Sequence, residues 1–137
     1  MPGWKVSSIT TNMDNGFKCI DVSNSGTNNS NKIDIWDCNG TAAQSIVFAH
    51  GTDGVGTLVV QGKCLDLGSS PTWGTHVQPW DCNNTVNQKW VHSSGALRNP
   101  NSGFCLEIAG SDINNGTPLD VWSCSGLRNQ QWYGDAL

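Results

Sequence analysis

The chain has 137 residues, a formal net charge of −4 and six cysteines. This length fits one domain that buries about two-thirds of its unfolded surface, so a small core of this kind gains much from covalent cross-links. With 7 basic against 11 acidic residues and no Lys or Arg cluster, the chain lacks the electrostatic surface that nucleic acids and anionic membranes require. We therefore expect no nucleic-acid partner.

Short runs of β-branched and aromatic residues follow one another along the chain, each bounded by Gly, Asn, Ser or Pro. In chain order they are WKVSSI, KIDIW, SIVF, TLVV, THVQPW, PLDVW and QQWY. None keeps a helical period over three turns, so the chain is predicted to be all-β. No segment has the length of a membrane span, and the first residues lack the basic start and apolar centre of a signal peptide. We expect no membrane insertion, and a leader that was removed before residue 1.

The cysteine content favours disulfides. An even count in a short chain rich in Asn, Gly, Ser and Thr is typical of a protein from an oxidising compartment, so we expect a secreted, extracellular protein. Zinc binding is the alternative, but a zinc site needs close ligand pairs such as Cys-x-x-Cys, and the sequence has none. The only histidines that could add ligands are His50, His76 and His92. We predict neither a metal nor another cofactor.

The cysteines also show an internal triplication. The two cysteines of each pair are 19, 18 and 19 residues apart, and CIDV, CLDL and CLEI contain the first of each pair. The second cysteine ends DIWDC, QPWDC and DVWSC, and a glutamine follows six residues later, with Ile46, Trp90 or Trp132 two residues beyond it. Three repeats of about four strands are therefore predicted, at approximately 4–50, 51–93 and 94–137. Propellers typically need ~4–8 blades, so a closed all-β body with pseudo-threefold symmetry is favoured.

This pattern resembles the ricin B-type lectins and the family 13 carbohydrate-binding modules from about residue 6 to residue 133. The resemblance implies a β-trefoil in which residues 1–137 form a single carbohydrate-binding domain of three subdomains with Gln-x-Trp repeats. It also implies a disulfide within each repeat, one of the many pairings that six cysteines allow: Cys19–Cys38, Cys64–Cys82 and Cys105–Cys124.

A sugar site needs a carboxylate or amide for adjacent hydroxyls and a flat aromatic face for the C–H side of the ring. The resemblance places these groups on Asp66, Trp80 and Asn87 in the second repeat, with Gln88 bracing the site. The corresponding sugar-binding positions in the other repeats are Asp21, Trp36, Gln44, Glu107, Trp122, Asn129 and Gln130.

The three copies differ at these positions. The first has Ala43 where the others have an asparagine, and the third has Glu107 in place of aspartate, so we rank the second site strongest. Trp73 lies in a loop of the second repeat and is expected to widen the sugar contact there, with His76 nearby. The residues of the Gln-x-Trp positions themselves are assigned to the core: Ile46, Trp90 and Trp132.

The resemblance implies a noncatalytic lectin or carbohydrate-binding module for galactose-type sugars or related glycan chains. One alternative is a module for xylan or another plant or microbial polysaccharide, appended to the catalytic domain of a secreted glycoside hydrolase. Another is a protein-interaction scaffold that binds no sugar. Glycoside hydrolysis needs two carboxylates across one cleft, whereas Asp21, Asp66 and Glu107 are expected on three separate faces. We therefore predict no catalytic residue and no enzyme activity.

Overall fold

The computed structural model describes residues 4–137, and that part of the chain consists of strands, loops and single 3-10 turns. Within it no α-helix occurs, and accordingly no helix could span a bilayer. The all-β prediction is confirmed. The strands are β1 (Val6–Ser7), β2 (Thr10–Thr11), β3 (Lys18–Val22), β4 (Ile33–Asp37), β5 (Ile46–His50), β6 (Val55–Val60), β7 (Lys63–Asp66), β8 (Gln78–Asp81), β9 (Trp90–Ser93), β10 (Ala96–Arg98), β11 (Phe104–Ile108), β12 (Leu119–Ser123) and β13 (Trp132–Tyr133).

Each predicted repeat contributes one antiparallel hairpin, namely β3–β4, β7–β8 and β11–β12. The register is the same in all three, because the first cysteine of each pair lies opposite a tryptophan: Cys19 opposite Trp36, Cys64 opposite Trp80, and Cys105 opposite Trp122. The second cysteine follows directly after each hairpin, and the three disulfides form within the repeats with Cα–Cα distances of 5.1 Å. The implied pairing is confirmed.

The remaining strands form a closed ring. Strand pairs connect β1 to β5, β5 to β6, β6 to β9 and β9 to β10. The last strand, β13, pairs with β2, and the Trp132 N–H donates to the Gly95 carbonyl beside β10 at 2.8 Å. Since β1 and β2 are consecutive, these contacts close the ring and give the trefoil its pseudo-threefold body.

One hydrophobic core fills the ring. The three residues of the Gln-x-Trp positions, Ile46, Trp90 and Trp132, are completely buried in it, as predicted. A buried indole needs an acceptor for its N–H. The Nε1–H of Trp90 donates to the Leu65 carbonyl at 3.2 Å, and that of Trp132 donates to the Leu106 carbonyl at 3.0 Å. These bonds attach the second and third hairpins to the core, each through its own repeat.

Candidate functional site

A buried glutamine braces the base of each hairpin. In the second repeat, Gln88 Nε2 donates to Asp66 Oδ2 at 2.8 Å and to the Asp81 carbonyl at 2.9 Å, while its Oε1 accepts from the Asn83 N–H at 3.0 Å. Gln44 makes the corresponding contacts in the first repeat, as Gln130 does in the third. Both amide hydrogens of each glutamine are thus engaged inside the protein. The glutamines position a carboxylate and keep little bonding capacity for a ligand.

The carboxylates held in this way are Asp21, Asp66 and Glu107, all with less than a tenth of their surface exposed. Each lies opposite a polar residue on the partner strand: Asp34, Gln78 and Asp120, respectively. Sequence reasoning missed these three residues. The signal available was their position two residues before the predicted stacking tryptophan, since alternate residues of a strand share one face.

The same register brings each carboxylate and its tryptophan to one face of the hairpin. In the first repeat, Asp21, Asp34 and Trp36 line a concave surface together with Asn39, Thr41 and the loop 23–25. Trp36 and Trp122 keep 43% and 40% of their surface exposed, and Trp80 is half-buried. In each repeat a buried carboxylate and a partly exposed tryptophan therefore lie on the hairpin, and the sugar site assigned to them stays a prediction.

Two of the hairpins carry a pair of acids. Asp34 and Asp120 are buried, and Oδ1 of each has no hydrogen-bond partner within residues 4–137. Burial, the hydrogen bond to Asp21 and the negative charge of Asp21 raise the pKa of Asp34 to about 7. Burial, the hydrogen bond to Glu107 and its charge likewise raise the pKa of Asp120 to about 7. Asp34 and Asp120 therefore each keep a proton at mildly acidic pH, whereas the second repeat has a neutral amide, Gln78, at that position.

The predicted asparagines have different environments. Asn129 Nδ2 donates to Glu107 Oε1 at 3.4 Å, so this amide is partly engaged. Asn87 is half-exposed, and its side-chain amide has no hydrogen-bond partner in the described part of the chain. Ala43, at the same position of the first repeat, is buried and offers no polar group. The second repeat thus combines Asp66, Gln78 and an unengaged amide.

The loop before the second strand of each hairpin crosses to the following repeat. Asn29 accepts from Lys63 Nζ and from the Asp81 N–H, both at 2.9 Å, beside a 2.6 Å ion pair between Lys63 and Asp81. Asn115 makes the same arrangement with Lys18 and Asp37, whose ion pair measures 2.9 Å. We call each of these Asn–Lys–Asp groups a polar clamp. The lysine, followed by the asparagine, lowers the pKa of the aspartate in both clamps.

The third crossing is aromatic. Trp73 occupies the place of Asn29 and Asn115, and its ring stacks on Trp122 with a centroid distance of 5.2 Å and an interplanar angle of 27°. The expectation that Trp73 lies beside the second site is thus wrong, because its loop extends to the third repeat and places the ring against Trp122. His76 is exposed, and its backbone bridges to Asp120 in that same repeat.

Comparison with known proteins identifies related chains. The family model described as ricin-type beta-trefoil lectin domain matches residues 7–132. Serine protease 1 of Rarobacter faecitabidus is 40% identical over 70 residues, which are 46% of this chain and 13% of the protease. Agglutinin-1 of Abrus precatorius is 31% identical over 99 residues, which are 69% of this chain and 17% of the agglutinin. The chain thus spans less than a fifth of either relative.

Solved structures show the same fold. The designed threefold-symmetric protein ThreeFoil superposes with a TM-score of 0.87 at 26% identity, over 93% of this chain and 95% of its own. The ricin B-like lectin of Macrolepiota procera, solved in complex with lactose, superposes with a TM-score of 0.76 at 22% identity, over 96% and 95% of the two chains. The β-trefoil that the resemblance implied is confirmed.

Proposed function

The chain belongs to the ricin-type β-trefoil lectin family, and from this premise we propose that it is a noncatalytic carbohydrate-binding domain for galactose-type sugars or related glycan chains, with one shallow site per repeat. The proposed ligand groups are a carboxylate and an indole on each hairpin. In the second repeat these are Asp66 and Trp80, helped by Asn87. Gln88 braces Asp66 and does not itself contact the sugar.

The observation that carries this proposal is the shared face of carboxylate and indole. In the first repeat, Asp21 and Trp36 line one concavity, and the Gln44 amide holds the carboxylate from inside at 3.2 Å. A sugar has hydroxyls on one side and C–H groups on another, so it satisfies both kinds of surface at once. A pocket for an extended apolar ligand would lack the buried carboxylate, because burial of a carboxylate costs free energy unless a polar group hydrogen-bonds to it.

The second site is proposed to bind a single sugar most strongly. Asp66 accepts from the Gly68 N–H at 2.5 Å and from Gln88, so its carboxylate is well oriented. Gln78 supplies a neutral amide beside it, and the Asn87 amide is unengaged. The first site has Ala43 in place of Asn87 and so lacks its amide, and the third site has the longer Glu107 in place of Asp66.

A glycan array with the purified chain tests the proposal, followed by calorimetry with galactose and lactose. We expect selective binding of terminal galactose and weak affinity for a monovalent sugar. Trp80→Ala should reduce monosaccharide binding more than Trp36→Ala or Trp122→Ala, which serve as matched controls. If Trp36→Ala or Trp122→Ala has the larger effect, the ranking is wrong. If no glycan binds, the protein-interaction scaffold becomes the better interpretation. If xylan binds in place of galactosides, the sugar class is wrong.

We also propose that the domain works outside the cell as part of a longer protein. Three disulfides suit an oxidising compartment, and the matched regions of the protease and the agglutinin are small parts of those proteins. The domain would then direct an attached catalytic or toxic unit to a glycan surface. Fusion of the chain to a fluorescent protein should retain the fusion on galactan or xylan beads. Loss of retention in a Trp36/Trp80/Trp122→Ala triple variant would assign it to the proposed sites.

A further inference from the structure

The third repeat has a surface that the other two lack. At two of the three crossings, a polar clamp built on Asn29 or Asn115 includes the aspartate that directly follows the hairpin tryptophan of the next repeat. At the third crossing the clamp is replaced completely, since Trp73, Phe104 and Ser123 occupy the positions of its asparagine, lysine and aspartate. The border of Trp122 is therefore aromatic and uncharged.

Trp73 does not cover the open part of its neighbour. Trp122 keeps 40% of its surface exposed, close to the 43% of Trp36, which stacks on no aromatic ring among residues 4–137. Gly74 lies against Trp122 as Gly116 lies against Trp36. A Cβ added to Gly74 would lie 3.6 Å from Cζ3 of Trp122, and one added to Gly116 would lie 3.7 Å from Cζ3 of Trp36. Trp73 itself is 57% exposed. The pair therefore offers solvent two adjoining indole surfaces beside the third site.

The loop holds Trp73 in place by backbone bonds. The Gly74 N–H donates to the Val121 carbonyl at 2.8 Å, and the Val121 N–H donates to the Thr75 carbonyl at 3.1 Å. Thr75 Oγ1 also accepts from the Thr72 N–H at 2.9 Å. A loop restrained in this way, with the Trp73 ring stacked on Trp122, loses little conformational entropy when it binds a ligand.

We propose that Trp73 extends the Trp122 surface into an aromatic ledge, on which Trp73 binds the second sugar residue of a chain whose first residue lies on Trp122 at the third site. This inference rests on the proposed function and adds that the third site selects oligosaccharides over monosaccharides. A further pyranose presents another C–H face, which an exposed indole covers well, whereas the charged clamps of the other sites are already engaged within the protein. The occupant is a glycan chain of two or more residues, extending across the ledge.

The test isolates the third site with Trp36→Ala and Trp80→Ala in the full chain, after thermal melts show that this form is folded. Calorimetry then compares galactose, lactose and galactotriose, with xylose and xylotriose as a second series. Trp73→Asn is the matched variant, because asparagine is the residue found at the two other crossings. We expect it to weaken the trisaccharide about three- to tenfold and to change the monosaccharide by less than about twofold. Trp73→Phe should keep most of the preference.

The outcomes separate the ledge from the proposed function. If the original chain binds no glycan on the array, the proposed function itself fails. If the chain binds glycans but the third-site form binds none, the ledge is wrong. If Trp73→Asn weakens the affinities for monosaccharide and trisaccharide equally, Trp73 only supports Trp122 and the inference is wrong. The inference is also wrong if Trp73→Asn changes neither affinity.

Discussion

Trp80 and Trp90 stand ten residues apart in one repeat and have opposite environments. Trp80 is half-buried on the face of its hairpin, while Trp90 is completely buried and donates its N–H to Leu65. A side chain of the first kind is free to contact a ligand, and one of the second kind supports the fold. The short segment from Trp80 to Trp90 therefore combines two separate functions.

Trp90→Ala should destabilise the domain by about 3–5 kcal/mol, because it opens a cavity in the core and leaves the Leu65 carbonyl without its donor. Trp80→Ala should leave the unfolding free energy nearly unchanged and reduce sugar binding. Urea unfolding and calorimetry on both variants check these effects. A Trp80→Ala protein as unstable as Trp90→Ala would contradict the assignment of Trp80 to the surface.

The acid pairs predict a pH dependence of stability. The folded pKa of Asp34 is about 7 against a usual value of 3.8, so the folded protein keeps a proton that the unfolded chain has lost in this interval. The stabilisation that comes from the protonated form is therefore complete below about pH 4, near the usual pKa, and is lost as the pH rises through the folded pKa of about 7. Asp34→Asn removes this titration and the repulsion from Asp21, so its melting temperature should exceed that of the original chain at pH 8.

Melting curves from pH 4 to pH 8 check this expectation, with Asp120→Asn as the second paired acid. The exposed Asp135→Asn serves as the control and should leave the slope unchanged. If Asp34→Asn melts with the same pH slope as the original chain, Asp34 does not hold a proton in the folded state.

Residues on the hairpins could be predicted to different extents. The repeated motifs pointed to Asp21, Asp66 and Glu107, because each follows the first cysteine at a fixed distance. Asp34 and Asp120 could not be recognised as acid partners, since that requires the register between two strands, which the sequence does not specify. That one oxygen of each is buried without a hydrogen-bond partner among the described residues is seen only in the structure, where both strands of each hairpin are packed.

At the scale of elements, each hairpin is fastened at its base by a disulfide and from inside by a glutamine. The strands were predictable from their short β-branched runs between turn residues. The crossings between repeats were not, because Trp73 meets a partner 49 residues further along the chain. Periodicity within one repeat says nothing about which neighbour a loop will contact.

Removing one disulfide should cost about 3 kcal/mol, the chain-entropy estimate for a loop of this size. In a Cys64→Ala/Cys82→Ala variant, Gln88 and the hairpin register should preserve the fold, so the variant should unfold at lower urea with similar cooperativity. Urea unfolding measures the loss, and non-reducing peptide mapping should still recover Cys19–Cys38 and Cys105–Cys124. A bond between repeats in the original chain would contradict the structure.

At the scale of the whole molecule, each of the three repeats carries one hairpin and one proposed sugar site. Weak single sites can still give strong retention, because simultaneous binding raises avidity by about 10²–10⁴ when the glycan geometry allows it. We expect tight binding to a dense galactoside surface and weak binding to free lactose. Surface plasmon resonance with Trp80→Ala and the triple Trp→Ala variant measures the difference. Equal affinities for the surface and free lactose would show that one site acts alone.

The loops at the crossings have one more consequence. The first repeat reaches the second through Asn29, the second reaches the third through Trp73, and the third reaches the first through Asn115. Every repeat thus both donates and receives a loop, which is the head-to-tail contact of a cyclic trimer contained within one polypeptide. The first repeat contains both halves of a polar clamp, since it has Asn29 as well as Lys18 and Asp37. Three separate copies of residues 4–50 should therefore associate around the same axis, whereas a single copy would leave its loop and its core face without a partner.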